Sequence, residues 1–309
     1  MCKLRLGTRG SQLALWQANC VASAIRQLRP EIDIEIKIIK TQGDKILDVA
    51  LSKIGDKGLF TREIENELLA GEIDLAVHSM KDLPSLLAPG LALGGVLKRE
   101  NPQDVFISHK DYTLTSLPLH GSVGTSSLRR IAQLRALRPD LHMIDLRGNV
   151  ETRLKKMVEQ DLDGIILAYA GVTRLGFAGQ ISEKIDTDLI LPAVGQGAIA
   201  MEIRAEDHKT LQMTALIDDL PSNLATQSER ALLRELEGGC QVPIAALARI
   251  SGNVLHMEGL VASMDGKRII KDFQAGDINQ AAEIGRLLAQ KLIQQGADSI
   301  LQEIRQVGE

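Results

Sequence analysis

The segment Leu191-Pro192-Ala193-Val194-Gly195-Gln196-Gly197-Ala198 decides the predicted fold, because it connects two units of alternating strands and helices. Glycine permits backbone conformations that are closed to other residues, so its two glycines make the segment a pliable connector. It leads directly into an apolar strand that is predicted over 199–204. Two units of this kind on one connector predict an α/β protein built as a two-lobed clamp.

Length and composition are those of an ordinary soluble globular protein. A chain of 309 residues is long for one core and fits two or three domains. Hydrophobic residues make up 44% and charged residues 25%, which is typical of globular domains. Aromatic residues are only 2%, so the cores must be built from leucine, isoleucine, valine and alanine.

The sequence predicts a cytoplasmic protein with no membrane partner. Its longest apolar runs are far too short to span a bilayer. The N-terminal stretch Met1-Cys2-Lys3-Leu4-Arg5-Leu6-Gly7 has no apolar h-region and is predicted to form a strand, so no signal peptide is recognised. Three widely separated cysteines do not make a disulfide framework.

The charge distribution favours a small anionic ligand over nucleic acid. Lysine and arginine number 36 and aspartate and glutamate 40, and the net charge of −4 argues against a general nucleic-acid binder. Between residues 129 and 156, however, there are eight basic residues and only three acidic ones. The alternative, for any single one of these arginines, is a place on a solvated helix face.

The first unit offers an anion-binding helix N-terminus. A strand over 3–7 turns at Thr8-Arg9-Gly10-Ser11 into a helix that is predicted to reach residue 28. At a helix N-terminus, unpaired backbone N–H groups and the helix dipole favour an anion beside Arg9 and Ser11. The alternative for Ser11 is a plain N-cap. The apolar face of this helix is predicted from helical spacing to contain Leu13, Trp16, Cys20, Ala24 and Leu28.

A second candidate site follows a buried strand that is predicted over 73–78. In α/β sheets, ligands collect just past the carboxyl ends of the strands, which is where Lys81 and Asp82 stand. The alternative for Asp82 is a turn residue that bonds its own backbone. His78, at the strand end, is interpreted as a hydrogen-bonded core histidine and not as a base.

Basic groups recur after strands in the second unit. The hydroxyl-rich turn Gly124-Thr125-Ser126-Ser127-Leu128-Arg129-Arg130 opens a helix, and its side chains and N–H groups suit a carboxylate or a phosphate. It is not a P-loop, because the Walker glycine–lysine pattern is missing. Arg147 follows a strand over 142–146, and Arg174 follows a strand over 164–169.

The stretch Glu237-Gly238-Gly239-Cys240-Gln241-Val242-Pro243 presents a thiol on a loop between a helix and a small C-terminal α+β domain. No CxxC partner or nearby histidine accompanies it, so neither a zinc site nor a cysteine–histidine protease arrangement is indicated. Spacing alone leaves two alternatives open for Cys240, a functional thiol and a small buried hydrophobe.

Taken together, these motifs resemble those of the porphobilinogen deaminase (hydroxymethylbilane synthase) family over essentially the full chain. Chance similarity is very unlikely because seven motifs occur in the family's order. They are residues Leu13–Ala18, Lys57–Phe60, Val77–Pro84, Gly124–Arg130, Leu146–Val150, Leu191–Gly197 and Glu237–Pro243.

The resemblance implies a three-domain architecture. Two lobes like those of type II periplasmic binding proteins are expected around a cleft, with a small C-terminal α+β domain. Domain 1 is predicted to comprise 1–98 with 198–217, domain 2 to comprise 99–197, and domain 3 to comprise 218–309. The implied protein is a monomer that binds neither nucleic acid nor a membrane.

The resemblance also implies an activity. Cys240 is expected to carry a dipyrromethane cofactor through a thioether, and four molecules of porphobilinogen are expected to be added to it in turn. The product, hydroxymethylbilane, is then released by hydrolysis while the cofactor stays attached. Asp82 matches the family's catalytic aspartate, and no metal is implied.

Two sets of binding residues follow from the resemblance. The residues expected to hold the cofactor are Cys240, Ser11, Asp44, Lys81, Asp82, Thr125, Ser127, Arg129, Arg130, Arg147 and Gln196. Those expected to hold the substrate are Arg9, Ser11, Gln17, Phe60, Arg147, Arg153 and Arg174.

Two positions depart from the family's pattern. Lys57-Gly58-Leu59-Phe60 belongs to a glycine-punctuated segment that is predicted to be a mobile lid over an anion, with a plain surface loop as the alternative. Gly55-Asp56 precedes this lid motif where the family often has two glycines, and Tyr169 stands where a small residue is usual. The main alternative function is a non-enzymatic, two-lobed binder of small organic anions, which leaves Cys240 unexplained and does not need Asp82. A nucleic-acid module is a weaker alternative, because the chain is acidic and poor in aromatic residues.

Overall fold

The computed structural model describes residues 3–45, 58–236 and 242–308. The helices are α1 (Gln12–Leu28), α2 (Gln42–Lys45), α3 (Arg62–Leu69), α4 (Leu128–Leu137), α5 (Val150–Glu159), α6 (Tyr169–Arg174), α7 (His208–Ala215), α8 (Leu220–Glu235), α9 (Ala281–Gln294) and α10 (Ala297–Gly308). The strands are β1 (Lys3–Thr8), β2 (Asp33–Ile38), β3 (Leu75–Ser79), β4 (Leu91–Val96), β5 (Asp104–Ile107), β6 (Ser122–Gly124), β7 (His142–Ile144), β8 (Gly164–Ala168), β9 (Glu183–Lys184), β10 (Ile199–Arg204), β11 (Ile244–Ser251), β12 (Val254–Ala262) and β13 (Ile269–Asp277).

Two five-stranded sheets share one strand order. The first sheet runs β2-β1-β3-β10-β4 and the second runs β7-β6-β8-β5-β9. In each, three parallel strands are followed by one strand that is antiparallel to both of its neighbours. That strand is β10 in the first sheet and β5 in the second, and each is the first strand that forms after the chain passes from the other sheet.

This topology makes the chain cross twice between the sheets. Residues 97–103, here called the first crossover, join β4 to β5. Residues 185–198, the second crossover, join β9 to β10 and contain the connector that was predicted from its two glycines. The predicted fold class is confirmed: two α/β lobes precede a C-terminal unit in which β11, β12 and β13 form an antiparallel sheet. The domain bounds stay a prediction.

The two crossovers touch, and glycine makes the contact possible. Gly197 has φ +89°, and a Cβ added there would stand 2.5 Å from the carbonyl oxygen of Glu100 in the first crossover. Gly195 has φ +70°, and its added Cβ would stand 2.4 Å from Cγ of Met80. Since Met80 begins the turn that carries Lys81 and Asp82, the second crossover packs directly behind that turn.

Helix α1 buries a different face from the predicted one. The buried residues are Ala14, Gln17, Ala18, Val21, Ala22 and Ile25. Trp16 and Leu28, which the spacing placed in the core, are 40% and 53% exposed. Small residues let α1 approach the first sheet closely, while the large indole of Trp16 lies under Arg174 of α6. Helical periodicity therefore identified the helix correctly, but its predicted orientation was wrong.

Glu229 of α8 ties the C-terminal unit to both crossovers. Its fully buried carboxylate accepts hydrogen bonds from Arg99 Nη1 at 2.6 Å and Nη2 at 3.1 Å in the first crossover. It also accepts from the backbone N–H groups of Gly195 at 2.7 Å and Ala248 at 2.8 Å. A buried carboxylate persists only when its oxygens are paired in this way.

The third sheet is covered on both faces. One face packs on α8 and α9, whose buried side chains include Leu232, Leu288 and Leu292. On the other face, a cluster that includes Ala245 and Leu247 packs on residues of the second lobe and the second crossover. In the described segments, no helix is both long enough and apolar enough to cross a membrane.

Replacing Gly285 by alanine should destabilise the C-terminal unit, because the added Cβ would stand 2.1 Å from the Ser228 carbonyl oxygen. Overpacking costs about 1–3 kcal/mol or more, against the roughly 1 kcal/mol that alanine gains over glycine in a helix. Gly179→Ala is the matched control, since no described atom lies within 4 Å of its added Cβ. Urea denaturation compares the two, and equal stability would contradict the packing of α8 on α9.

Candidate active site

A pocket lies past the carboxyl ends of β1 and β3, where the first lobe was predicted to bind an anion. It brings together predicted site residues from three separate stretches of the chain. Its lining residues are Arg9, Ser11, Leu13, Ala14, Gln17, Phe60, Thr61, Val77, His78, Ser79 and Asp82.

Two polar residues of α1 face this pocket, and both also have local partners. Ser11 is the N-cap of α1, and its hydroxyl accepts from the Ala14 N–H at 3.2 Å, as its alternative interpretation required. A hydroxyl that accepts one bond still has its own proton to donate. Gln17 is 3% exposed and donates from Nε2 to Ser79 Oγ at 2.8 Å. The amide is therefore oriented by β3.

One part of the pocket lining is a guanidinium stacked on an aromatic ring. Arg9 Cζ lies 4.3 Å from the centre of the Phe60 ring. Behind the ring, a Cβ added at Gly43 would stand 2.2 Å from Phe60 Cε1, so the ring rests on glycine. Guanidinium groups both stack on aromatic faces and bind planar carboxylates, so this pair suits the wall of an anion site.

His78 behaves as the interpretation from the sequence predicted. Its side chain is 4% exposed, and Nε2 lies 2.9 Å from Oε2 of the fully buried Glu202 on β10. His78 also contributes to the pocket wall, but this hydrogen bond satisfies its ring inside the first sheet. It is a core histidine of the pocket wall.

Lys81 and Asp82 lie in a single 3-10 turn, residues 80–82, directly after β3. Asp82 is exposed and Lys81 is half-buried. Burial lowers the pKa of Lys81 to about 8, and Arg130 and Arg129 act in the same direction while Asp82 and Asp104 oppose it. Lys81 therefore belongs electrostatically to both the first-lobe turn and the arginines of the second lobe.

The turn before α4 places two hydroxyls at the second lobe's side of the site. Thr125 is 2% exposed, and its hydroxyl accepts from the Ser127 N–H at 3.2 Å. Ser127 is the N-cap residue of α4 but makes no side-chain capping bond. Its hydroxyl is thus not committed to the helix.

A buried acid that the sequence analysis did not single out organises the arginines of α4. Asp104 is fully buried, and it accepts from Arg129 Nη2 at 2.8 Å, Arg130 Nη2 at 2.7 Å and Gln196 Nε2 at 2.8 Å. Burial opposes ionisation of Asp104, but the two guanidinium groups outweigh it and hold its pKa well below the ordinary value. Gln196 also donates to the Pro102 carbonyl at 2.7 Å.

Arg153 connects the second lobe to Asp82. Its Nε donates to the Gly148 carbonyl at 2.8 Å, which aims the guanidinium back from α5. Burial lowers the pKa of Arg153 to about 10, and Arg130 lowers it further while Asp82 raises it. Arg147 lies beside it, with Nε 3.7 Å from Asp145 Oδ2. Asp82 is therefore within electrostatic reach of the arginines of the second lobe.

Arg174 is placed differently from the other predicted cations. Its guanidinium carbon lies 5.3 Å from the centre of the Trp16 ring, and Nη2 donates to the Gly197 carbonyl at 2.7 Å. Burial lowers its pKa. These contacts set Arg174 between α1 and the second crossover.

Several predicted features fall outside the described residues. Cys240 and most of the loop around it are among them, and so are Gly55-Asp56 and Lys57 of the predicted lid. Asp44 belongs to α2, but its side chain lies outside what the structure describes. The roles predicted for these residues stay predictions.

Sequence reasoning missed Asp104 and Glu229. One signal was available for Asp104: it opens a strand whose other residues, Val105, Phe106 and Ile107, are all apolar. A charged residue in such a strand needs a buried partner of opposite charge. The sequence also offered two adjacent arginines, at 129 and 130, to which no acidic partner had been assigned. Glu229 gave no such signal, because a glutamate within an amphipathic helix is ordinarily exposed.

The comparison with known sequences decides the family. A family profile described as "Porphobilinogen deaminase, dipyromethane cofactor binding domain" matches residues 4–212. A second, described as "Porphobilinogen deaminase, C-terminal domain", matches residues 223–294. The chain belongs to the porphobilinogen deaminase family. The resemblance that the seven motifs carried is confirmed.

Individual relatives agree with this membership. A porphobilinogen deaminase of Syntrophomonas wolfei subsp. wolfei is 60% identical, with 99% of this chain and 100% of that protein covered. One of Carboxydothermus hydrogenoformans is 54% identical, with 97% and 96% covered. Among solved structures, the Bordetella pertussis BvgS periplasmic VFT2 domain is 14% identical with a TM-score of 0.41, and the match covers 70% of this chain and 86% of that one.

The described side chains fit the carboxylates of a porphobilinogen deaminase cofactor. The Nε atoms of Arg129 and Arg130 are buried and have no hydrogen-bond partner within residues 3–45, 58–236 and 242–308. Buried donors of this kind are costly to leave unpaired, so an anionic ligand is the expected acceptor. A dipyrromethane with acetate and propionate groups supplies such acceptors.

Replacing Arg174 by alanine should shift the emission of Trp16 to longer wavelength, because the guanidinium that covers the indole is removed. Trp16 is the chain's single tryptophan, so fluorescence reports this contact alone. The lost stacking and hydrogen bond should also cost roughly 2–3 kcal/mol of unfolding free energy. Arg135→Ala is the control, since that arginine donates to the Met264 carbonyl elsewhere. Identical spectra for both variants would refute the stacking.

Proposed function

We propose that the chain is a hydroxymethylbilane synthase, which condenses four porphobilinogen molecules into a linear tetrapyrrole and releases ammonia. Family membership supports the proposal. The structural observation that supports it is the placement of Asp82, which lines the first-lobe pocket and raises the pKa of Arg153 in the second lobe. One carboxylate thus faces a set of cations from both lobes.

The cofactor roles are assigned residue by residue. We assign Cys240 as the thioether attachment point of dipyrromethane, and a thioether suits this role because it resists hydrolysis. When bound, the cofactor supplies a nucleophilic pyrrole carbon that serves as primer. The residues assigned to hold its carboxylates and pyrrole groups are Ser11, Asp44, Lys81, Asp82, Thr125, Ser127, Arg129, Arg130, Arg147 and Gln196.

The substrate roles follow the charge of porphobilinogen. The substrate carries two carboxylates, which suit Arg9, Arg147, Arg153 and Arg174 because guanidinium groups bind carboxylates in two parallel hydrogen bonds. Ser11, Gln17 and Phe60 complete the assigned set. Each added unit brings two further negative charges, which accounts for more arginines than a single small substrate requires.

Asp82 is assigned to the step in which ammonia leaves. The substrate's amine, like a lysine with a pKa of about 10, is protonated at neutral pH, so ammonia departs without a strong acid. Positive charge then moves onto the substrate's pyrrole ring, and a fixed carboxylate near the ring nitrogen stabilises it. A unit pair at about 4 Å is worth about 4 kcal/mol at an effective dielectric of 20.

Only the part of this attraction that exceeds the ground state accelerates the reaction. An excess of about 3 kcal/mol corresponds to roughly a hundredfold in rate. After carbon–carbon bond formation, the same carboxylate can accept the ring proton, since it is exposed at the pocket. Asp82 is therefore the residue whose charge matters most to turnover.

The alternative function is a non-enzymatic binder of small organic anions. It accounts for the arginines equally well, but it assigns no role to Cys240 or Asp82. The two functions differ in protein mass, because an enzyme of this kind carries a covalent adduct and a binder has the bare polypeptide mass. A cytoplasmic location and a monomeric state are further parts of the proposal.

Intact-mass measurement and a porphobilinogen turnover assay test the function together. The wild-type protein should carry an adduct on Cys240 and should form hydroxymethylbilane. Asp82→Asn should keep the adduct but lose about a hundredfold or more in kcat, because the neutral amide cannot stabilise the positive charge that forms on the pyrrole ring. Asp188→Asn, at an exposed site, is the control. If the wild-type protein has the bare polypeptide mass and no turnover, the proposed function is rejected. If Asp82→Asn turns over at a near-normal rate, the role proposed for Asp82 is rejected.

The lowered pKa of Lys81 predicts an alkaline limit to activity. As pH rises through about 8, Lys81 loses its proton and its attraction for a carboxylate of the cofactor, so the primer is held less firmly and kcat/KM should fall. The substrate's own amine stays protonated there, with a pKa of about 10. Lys81→Arg should move this limb to higher pH, because a guanidinium stays charged. Lys155→Arg, at an exposed lysine, should not move it; a shared profile would contradict the role of Lys81.

A further inference from the structure

Asp104 divides its carboxylate between two arginines. A carboxylate and one guanidinium ordinarily form two parallel hydrogen bonds. Here Oδ2 accepts from Arg129 Nη2 at 2.8 Å, and Oδ1 accepts from Arg130 Nη2 at 2.7 Å. Two adjacent cations at the start of α4 are thus held in the interior by one anion.

Backbone carbonyls hold the remaining terminal nitrogens of the two arginines. Arg129 Nη1 donates to Leu191 O at 2.7 Å, and Arg130 Nη1 donates to Ile166 O at 2.9 Å. A planar guanidinium that is held at both terminal nitrogens has a fixed orientation. The buried Nε–H of each arginine, which has no acceptor in the described parts of the chain, therefore points in a direction that Asp104 helps to set.

Gln196 extends this arrangement to both crossovers. Its Nε2 donates to Asp104 Oδ1 at 2.8 Å and to the Pro102 carbonyl of the first crossover at 2.7 Å. The backbone carbonyl oxygen of Gln196 accepts a hydrogen bond from Arg99 Nε at 2.8 Å. The carboxylate of Asp104 thus stands where the two crossovers and α4 meet.

We propose that Asp104 is a positioning residue, which aims the Nε–H groups of Arg129 and Arg130 at ligand carboxylates and couples their direction to the crossovers through Gln196. The proposal rests on the function proposed above, which supplies those carboxylates. Asp104 is not a catalytic residue, because it is fully buried behind the arginines and accepts only from protein groups.

A positioning role predicts an effect on binding and not on the chemical step. Misdirected arginines would hold the carboxylates of the cofactor, and of the units that are added to it, less well in the ground state and in the transition state alike, which raises KM and leaves kcat unchanged. The loss of one hydrogen bond to a charged group costs about 10- to 100-fold in binding. Loss of a merely structural ion pair would instead lower stability and leave the KM of the folded protein as it was.

The test compares Asp104→Asn and Asp104→Glu with the wild type. Asp104→Asn removes the charge and turns an amide N–H toward a guanidinium, whereas Asp104→Glu keeps the charge and moves it by one methylene. Four quantities are measured: the loaded fraction of folded protein by intact mass, KM and kcat per loaded molecule, and the melting temperature. We expect Asp104→Asn to raise KM by about 10- to 100-fold and to lower the loaded fraction, with Asp104→Glu intermediate.

Asp74→Asn is the matched control. Asp74 also lies between two arginines, with Arg5 Nη2 at 2.8 Å and Arg204 Nη2 at 3.5 Å. Asp74 precedes β3 and Asp82 follows it, so the two residues lie at opposite ends of a five-residue strand that is about 17 Å long. Asp74→Asn should lower the melting temperature and leave the loaded fraction and KM at the wild-type values.

Each outcome decides the proposal. A raised KM and reduced loading for Asp104→Asn, with kcat retained and the control unaffected, supports it. Wild-type KM and loading in a folded Asp104→Asn protein overturn it, as does failure of both Asp104 variants to fold, since Asp104 would then be purely structural. Absence of adduct and turnover in the wild type is a different result, which rejects the proposed function itself.

Discussion

A buried chain of hydrogen bonds runs from the third sheet through both crossovers to the second sheet, and the placement of the candidate site depends on it. It runs from the Ala248 N–H of the third sheet to Glu229, then to Arg99 of the first crossover. Arg99 bonds the Gln196 carbonyl, and the Gln196 amide bonds Asp104 of the second sheet. Buried polar groups are stable only when every member has its partner, so these segments are positioned together.

This constraint explains how one carboxylate meets cations from two lobes. Asp82 stands at the carboxyl end of a strand in the first sheet, and the arginines follow strands of the second. The crossovers that join the sheets pack against each other, and the second one also packs against Met80, two residues before Asp82. Asp82 and the arginines to which ligand binding is assigned in the proposed function are therefore positioned by the segments that also connect the lobes.

The local parts of the site could be predicted, and the tertiary parts could not. Strand ends and helix starts have short-range signals, which is why Lys81, Asp82 and the turn before α4 were found. The burial of Asp104 and Glu229 depends on residues far along the chain, and the orientation of α1 depends on Arg174 above Trp16. The strand predicted to end at Tyr169 stops one residue earlier, and α6 begins there, because a short apolar run does not distinguish strand from helix.

Under the proposed function, the second lobe holds two kinds of cation. Arg129 and Arg130 are fixed at both terminal nitrogens by a buried acid and backbone carbonyls, which suits a resident cofactor that never leaves. Arg147 makes a different kind of contact, with Nε 3.7 Å from the 65% exposed carboxylate of Asp145. An ion pair that is open to solvent contributes little to stability. The two arginines that are fixed by buried groups can therefore anchor the primer, so that a growing polyanion is extended from a constant point.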